Sequence, residues 1–156
     1  MNAPATLDRA GIAARIPHGG AMCLLDRLLS WTAEEIVCDA GDHRDPAHPL
    51  RLDDALPAAA ALELASQAIA LHGALCAPTA VATPGFLASA RGMQLHVHRL
   101  DEAPGPLRVQ AQRVAGDAGQ ALYAFELRDA GDRMLANGRA TVMFGRPLQA
   151  PAERGP

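Results

Sequence analysis

The sequence predicts an α+β domain in which a curled antiparallel sheet wraps one long apolar helix. Three observations predict it. The run Leu56–Leu71 is dominated by Ala and Leu over a length that suits a helix. After a proline-bounded loop, Pro78–Pro84, the hydrophobic period changes from helical to alternating, and strand-like segments follow. Gly116-Asp117-Ala118-Gly119 and Asp129-Ala130-Gly131-Asp132 supply Gly and Asp where hairpins turn. A helix that is apolar nearly all round has to be covered on every side. One curled sheet covers most of it, and a second subunit is expected to cover the rest.

Taken in order, residues 1–15 read as a loosely held arm with a helical turn near Leu7–Ala14. The domain proper is expected over 16–145, and 146–156, with three prolines, reads as a fraying tail. Met22–Trp31 fits either a strand or a short helix, with Asp26-Arg27 as an ion pair that pins it. Glu35–Gly41 alternates as a strand. Asp42–Leu56, crowded with His and Pro, reads as a long functional loop. Pro57 suits a first helical turn, where its missing N–H would be unpaired anyway, and the helix is expected over Pro57–Ala74 with Gly73 near its end. Phe86–His98, Leu107–Ala115, Ala121–Asp129 and Arg133–Phe144 are the expected strands of a meander.

The chain has 156 residues, enough for one domain with a real core. Hydrophobic residues are 49% but aromatics only 3%, so the core is small and aliphatic. A net charge of −3 with interspersed signs predicts neither nucleic acid nor an anionic membrane surface as partner. Three cysteines, Cys23, Cys38 and Cys76, lack metal-type spacing and read as reduced thiols of a cytoplasmic protein. The first residues show no charged region followed by an apolar one, so no secretory leader is expected. Pro57, Glu63, Ser66 and Gln67 interrupt the apolar run and argue against a membrane span.

His48 and Glu63 carry the candidate chemistry. His48 sits in the loop Asp45-Pro46-Ala47-His48-Pro49, and Glu63 is the one carboxylate within the apolar run. Burying a carboxylate there is costly unless it has a partner or a task, and burial favours its protonated form. A loop imidazole is a natural base beside such an acid. Together they suggest general acid and base acting on a small acyl substrate.

Ile16-Pro17-His18-Gly19-Gly20-Ala21-Met22-Cys23-Leu24-Leu25-Asp26-Arg27, then His48, then Leu56-Pro57-Ala58, then Leu62-Glu63-Leu64-Ala65-Ser66-Gln67, then Pro84-Gly85-Phe86-Leu87 leading to His96-Val97-His98-Arg99, run in one order. This series resembles hotdog-fold 3-hydroxyacyl-[acyl-carrier-protein] dehydratases from about Ile16 to Phe144, and most the branch tied to aryl polyene pigments. Two departures stand out. Ala47-His48-Pro49-Leu50-Arg51 replaces the usual Gly-His-Phe-Pro-Gly, with a longer span to the carboxylate, and Ala58 replaces the helix-start glycine.

The resemblance implies a dimeric hotdog fold without a cofactor or metal. It implies His48 as the base for the C2 proton and Glu63 as the group serving the C3 hydroxyl. It also implies an oxyanion-binding N–H at Ala58, Gln67 orienting Glu63, and Gly85 in the substrate-binding strand. The histidine and carboxylate of one site are then expected from different subunits. The partners would be an acyl carrier protein with a 3-hydroxyacyl phosphopantetheine thioester and a second copy or a related dehydratase subunit. A hotdog thioesterase, or a non-catalytic subunit of a heterodimer, is the alternative. Among other residues, His18 is expected to be structural and His43 exposed. His96 and His98 share a strand face but lack a third zinc ligand at clear spacing. Arg91 and Arg99 are surface charges able to meet a phosphate, and Cys76 has no activating neighbour in sequence.

Overall fold

The computed structural model describes residues 4–77, 85–117 and 119–144. A seven-stranded antiparallel sheet curls around one helix. The strands are β1 (Leu7–Asp8), β2 (Arg27–Trp31), β3 (Glu35–Ala40), β4 (Gly85–Leu95), β5 (Leu107–Gly116), β6 (Gln120–Arg128) and β7 (Met134–Phe144), ordered β1-β2-β3-β5-β6-β7-β4. The helices are α1 (Arg9–Ala13) and the central α2 (Ala61–Cys76), which follows a 3₁₀ turn at Ala58–Ala60.

Alternation explains the wrap. Ile36, Cys38 and Ala40 on β3, Leu107, Val109 and Ala111 on β5, and Ala121, Tyr123, Phe125 and Leu127 on β6 all turn inward. Against them α2 buries Ala61, Leu64, Ala65, Ala68, Ile69 and Leu71. Ala61, Ala65 and Ala68 have no exposed surface, and their single methyl groups let the sheet approach the helix closely. Ala58–Cys76 is long and apolar enough to cross a membrane by composition, but more than half of that stretch is buried inside the protein, as in a core helix. Gly73 stands in the last turn of α2, against the Phe144 ring.

The opposite stripe of the helix, Leu62, Glu63, Ser66, Ala70, Gly73 and Ala74, stays partly open. Beside it β4 is an edge strand of 11 residues with Phe86, Leu87 and Leu95 exposed.

Four expectations change. The first strand after the helix does not join a four-strand meander; β4 pairs with β7 at the far edge, and only β5, β6 and β7 follow one another. Met22–Trp31 divides into a 3₁₀ turn, Gly20–Met22, and the shorter strand β2. The N-terminal stretch is docked from Leu7 onward: β1 pairs with β2, and Ile12 is fully buried. Asp26 pairs not with Arg27 but with Arg9, and it also accepts the Gly41 N–H. Adjacent residues on a strand point to opposite faces, so the Asp26-Arg27 pairing was unfavourable from the start. The Pro78–Pro84 loop and the 146–156 tail lie outside the described residues.

Candidate active site

The His48 loop is held at several points. A tight turn closes between Leu52 and Ala55 through reciprocal backbone bonds of 2.8 and 3.0 Å. Its two central residues, Asp53 and Asp54, have φ of 49° and 68°, a left-handed conformation that Asp tolerates better than most side chains. Asp101 clamps the segment beyond it. Its carboxylate accepts the Leu56 N–H at 3.0 Å and the Arg99 Nε–H at 3.0 Å, with Arg51 at 3.9 Å. The Arg99 guanidinium holds the Asp101 carboxyl well below the usual carboxylate range. At the loop's start His43 is buried, contrary to expectation. Its Nε2 donates to the Ala103 carbonyl at 2.8 Å, and Arg44 donates to the same oxygen.

His48 itself is half-buried, and desolvation pushes its imidazole below the usual range. The Leu50 N–H donates to Nδ1 at 3.1 Å, so the neutral ring carries its hydrogen on Nε2. In this arrangement Nε2 is a donor.

Glu63 lies near the start of α2 with a third of its side chain exposed, rather than buried as expected. Its Oε1 is 3.2 Å from His18 Nε2 and accepts a long bond of 3.3 Å from Gln67 Nε2. Gln67 is fully buried. Its Oε1 accepts the Leu24 N–H at 2.9 Å and its Nε2 donates to the Met22 carbonyl at 2.7 Å, so one amide sews the 22–24 segment to the helix and touches Glu63. Within one chain no hydrogen bond or ion pair joins His48 to Glu63 among the described residues.

The Ala58 N–H is not the free donor expected, because it is consumed by the His98 carbonyl at 3.1 Å. The next N–H, that of Ala59, has no hydrogen-bond partner among the described residues, and Ala59 is exposed. Ala59 also lines both open hollows beside the helix start. One, of about 320 Å³, is bounded by Leu50, Pro57, Ala60, Leu62, Glu63, Ser66 and Leu87 as well. The other, of about 330 Å³, is bounded by Pro57, Ala58 and Leu95 to His98. Gly85 lines neither of these hollows; a Cβ there would meet Phe144 at 2.9 Å, so the glycine makes room for packing.

His96 bonds Asn137 at 2.7 Å, and among the described residues no three His, Cys, Asp or Glu side chains are grouped to hold a metal ion. The cysteines are free, Cys23 and Cys38 buried and Cys76 exposed. Cys76 does have a structural neighbour, His72, at 3.5 Å, but partial desolvation of its sulfur pushes the thiol pKa up rather than down.

The structure therefore adds His18 and Ala59 to the site. His18 could have been found from its place in the Pro-His-Gly-Gly turn. For Ala59 the available signal was only its position at a helix start.

A family model described as ApeP-like, ApeP dehydratase, matches residues 10–152. The chain belongs to the ApeP-like dehydratase family. Among solved structures, the dehydratase heterocomplex ApeI:P from Xenorhabdus doucetiae is 22% identical with a TM-score of 0.73, covering 86% of this chain and 91% of that one. Thioesterase HI1161 from Haemophilus influenzae is 11% identical with a TM-score of 0.66, covering 93% and 95%. AziG from S. sahachiroi is 15% identical with a TM-score of 0.59, covering 77% and 90%. No curated protein matches the chain. The fold is the hotdog fold, and members of this family and thioesterases alike are built on it.

Proposed function

We propose that this chain is a dehydratase subunit that removes water from 3-hydroxyacyl thioesters carried on an acyl carrier protein, in aryl polyene synthesis. The observation that carries the reading is the match of the family model across residues 10–152, which spans both the loop that presents His48 and the helix start that presents Glu63. The free thiols fit a reducing cytosol.

The chemistry needs a base, an acid and a dipole. His48 takes the C2 proton, the electron pair forms the C2–C3 double bond, and the C3–O bond breaks. The departing hydroxyl takes a proton from Glu63 and leaves as water. His48 then holds the C2 proton while Glu63 is one proton short, and passage of one proton from His48 to Glu63 through solvent resets the site. Charge developing on the thioester oxygen meets the Ala59 N–H at the positive end of the helix, in place of Ala58.

Among the described residues no hydrogen bond or ion pair joins His48 to Glu63 of one chain, so a working site pairs each with its counterpart across a dimer. The open stripe of α2 and the exposed edge β4 are the surfaces for that pairing. A second copy of this chain or a related dehydratase subunit is the proposed partner, the latter as in the structural neighbour described as a heterocomplex.

One observation favours a second reading. With Leu50 on Nδ1, the neutral His48 ring has no lone pair at Nε2. Base catalysis at Nε2 requires that bond to be exchanged on assembly. A subunit in which it is never exchanged would support a partner that carries the base.

The test is mass spectrometry of a 3-hydroxyacyl carrier protein incubated with this chain, alone and with a related subunit. Loss of one water supports the dehydratase reading. Loss of the acyl group supports a thioesterase, and turnover that survives His48→Ala in the complex supports the supporting-subunit reading.

A further inference from the structure

We infer that His18 is a positioning residue for Glu63: it holds one carboxylate oxygen so that the other stays free for the substrate. What the free oxygen does rests on the dehydratase reading; the contact itself rests on geometry alone.

Both neighbours of the carboxylate converge on one atom. His18 Nε2 lies 3.2 Å from Glu63 Oε1, and Gln67 Nε2 reaches the same oxygen at 3.3 Å. Glu63 Oε2 has no protein partner among the described residues, and Glu63 lines the hollow with Leu50, Ala59 and Leu87. An asymmetric carboxylate of this kind has one anchored and one working oxygen.

Gln67 cannot do the anchoring alone. Its amide is fixed by Leu24 and Met22, so it offers Glu63 only its remaining hydrogen over a long distance. His18 supplies the second hold.

His18 has no other polar task that the structure shows. Its Nδ1 is buried without a hydrogen-bond partner, and Glu63 is its only polar side-chain contact among the described residues. The turn that follows His18 is set by Gly20, which takes a φ of +60° and starts the 3₁₀ turn to Met22. Gln67 pins that same turn through the Met22 carbonyl. The Pro17-His18-Gly19-Gly20 motif thus places an imidazole against the carboxylate from outside the helix.

The test compares wild type, His18→Ala, His18→Gln, Glu63→Gln and the His18→Ala/Glu63→Gln double variant in the carrier-protein dehydration assay. His18→Ala should lower kcat by about 10- to 100-fold with KM little changed, the scale of a misplaced reacting group. His18→Gln, which can offer an N–H at a similar reach, should recover most of that loss. In the double variant His18→Ala should add almost nothing to the loss from Glu63→Gln. Full kcat in His18→Ala, or losses that multiply, would overturn the inference while leaving the dehydratase reading intact. If wild type shows no dehydration, the same variants are compared by thermal unfolding. Tm shifts that fail to add, by about 1 °C or more, support the contact, and shifts that add overturn it.

Discussion

Gln67→Leu removes every hydrogen bond of the buried amide while keeping nearly the same volume. Gln67 has no exposed surface, and its three bonds tie Leu24, Met22 and Glu63 together. Leu24 is 4% exposed, so water cannot replace the lost acceptor at its N–H. A stranded buried donor costs about 1–3 kcal/mol. Met22 is 39% exposed, so its carbonyl can be rehydrated and its loss is the smaller one. The long bond to Glu63, itself a third exposed, adds little. The extra apolar burial of Leu offsets part of the cost. The expected net loss is about 2 kcal/mol. For a domain of this size that is a fall in Tm of about 4–8 °C. Urea unfolding, with protein concentration held constant so that any pairing contributes equally, should move the midpoint and leave the slope unchanged. A Gln67→Leu protein within about 0.5 kcal/mol of wild type would refute the reasoning that the amide sews the 22–24 segment to the helix.

Three further outcomes follow from polar groups. His72 is fully buried, with Nε2 donating to the Thr32 carbonyl at 2.8 Å and Nδ1 accepting the Tyr123 hydroxyl at 2.7 Å. Tyr123→Phe strands Nδ1 and should cost about 1–2 kcal/mol by urea unfolding. Burial holds the imidazoles of His72 and His48 below the usual range, so near and below pH 6.5 the unfolded chain binds protons that the folded chain refuses. Stability is therefore complete above that range and should fall as the pH drops through it; a flat profile from about pH 8 to 5.5 would contradict this. Asp101→Ala frees Leu56, Arg99 and Arg51 together, and amide exchange in 50–56 should quicken while β5–β7 keep their protection.

The helix and the strands after it were legible because their information is local. Alanine and leucine make α2, alternation makes β5 to β7, and Gly with Asp makes the hairpins. Strand order is not local. Nothing in the Gly85–Leu95 alternation says that this strand crosses to pair with β7, leaving an exposed edge. The site divides in the same way. His48, Glu63 and Gln67 stood out by residue type and spacing, and the Gln67–Glu63 contact follows from their separation of one helical turn. His43 was misjudged because its partner, Ala103, lies 60 residues away. Ala58 was misjudged because the His98 carbonyl that takes its N–H lies beyond the helix, just past the end of the following strand. Even a legible residue such as His48 hid its tautomer, which Leu50 determines through the turn of the loop.

The central claim is that His48 and Glu63 act as one pair across two subunits. Its most direct test uses His48→Ala and Glu63→Gln, each assayed for water loss from a 3-hydroxyacyl carrier protein, and then mixed under conditions where subunit exchange is verified. Each variant alone should fold and turn over about two to four orders of magnitude more slowly than wild type. In self-paired dimers, random exchange makes half the dimers mixed, with one of two sites native, so the mixture should recover roughly a quarter of wild-type activity. A full-rate His48→Ala protein, or no recovery after verified exchange, would contradict the account.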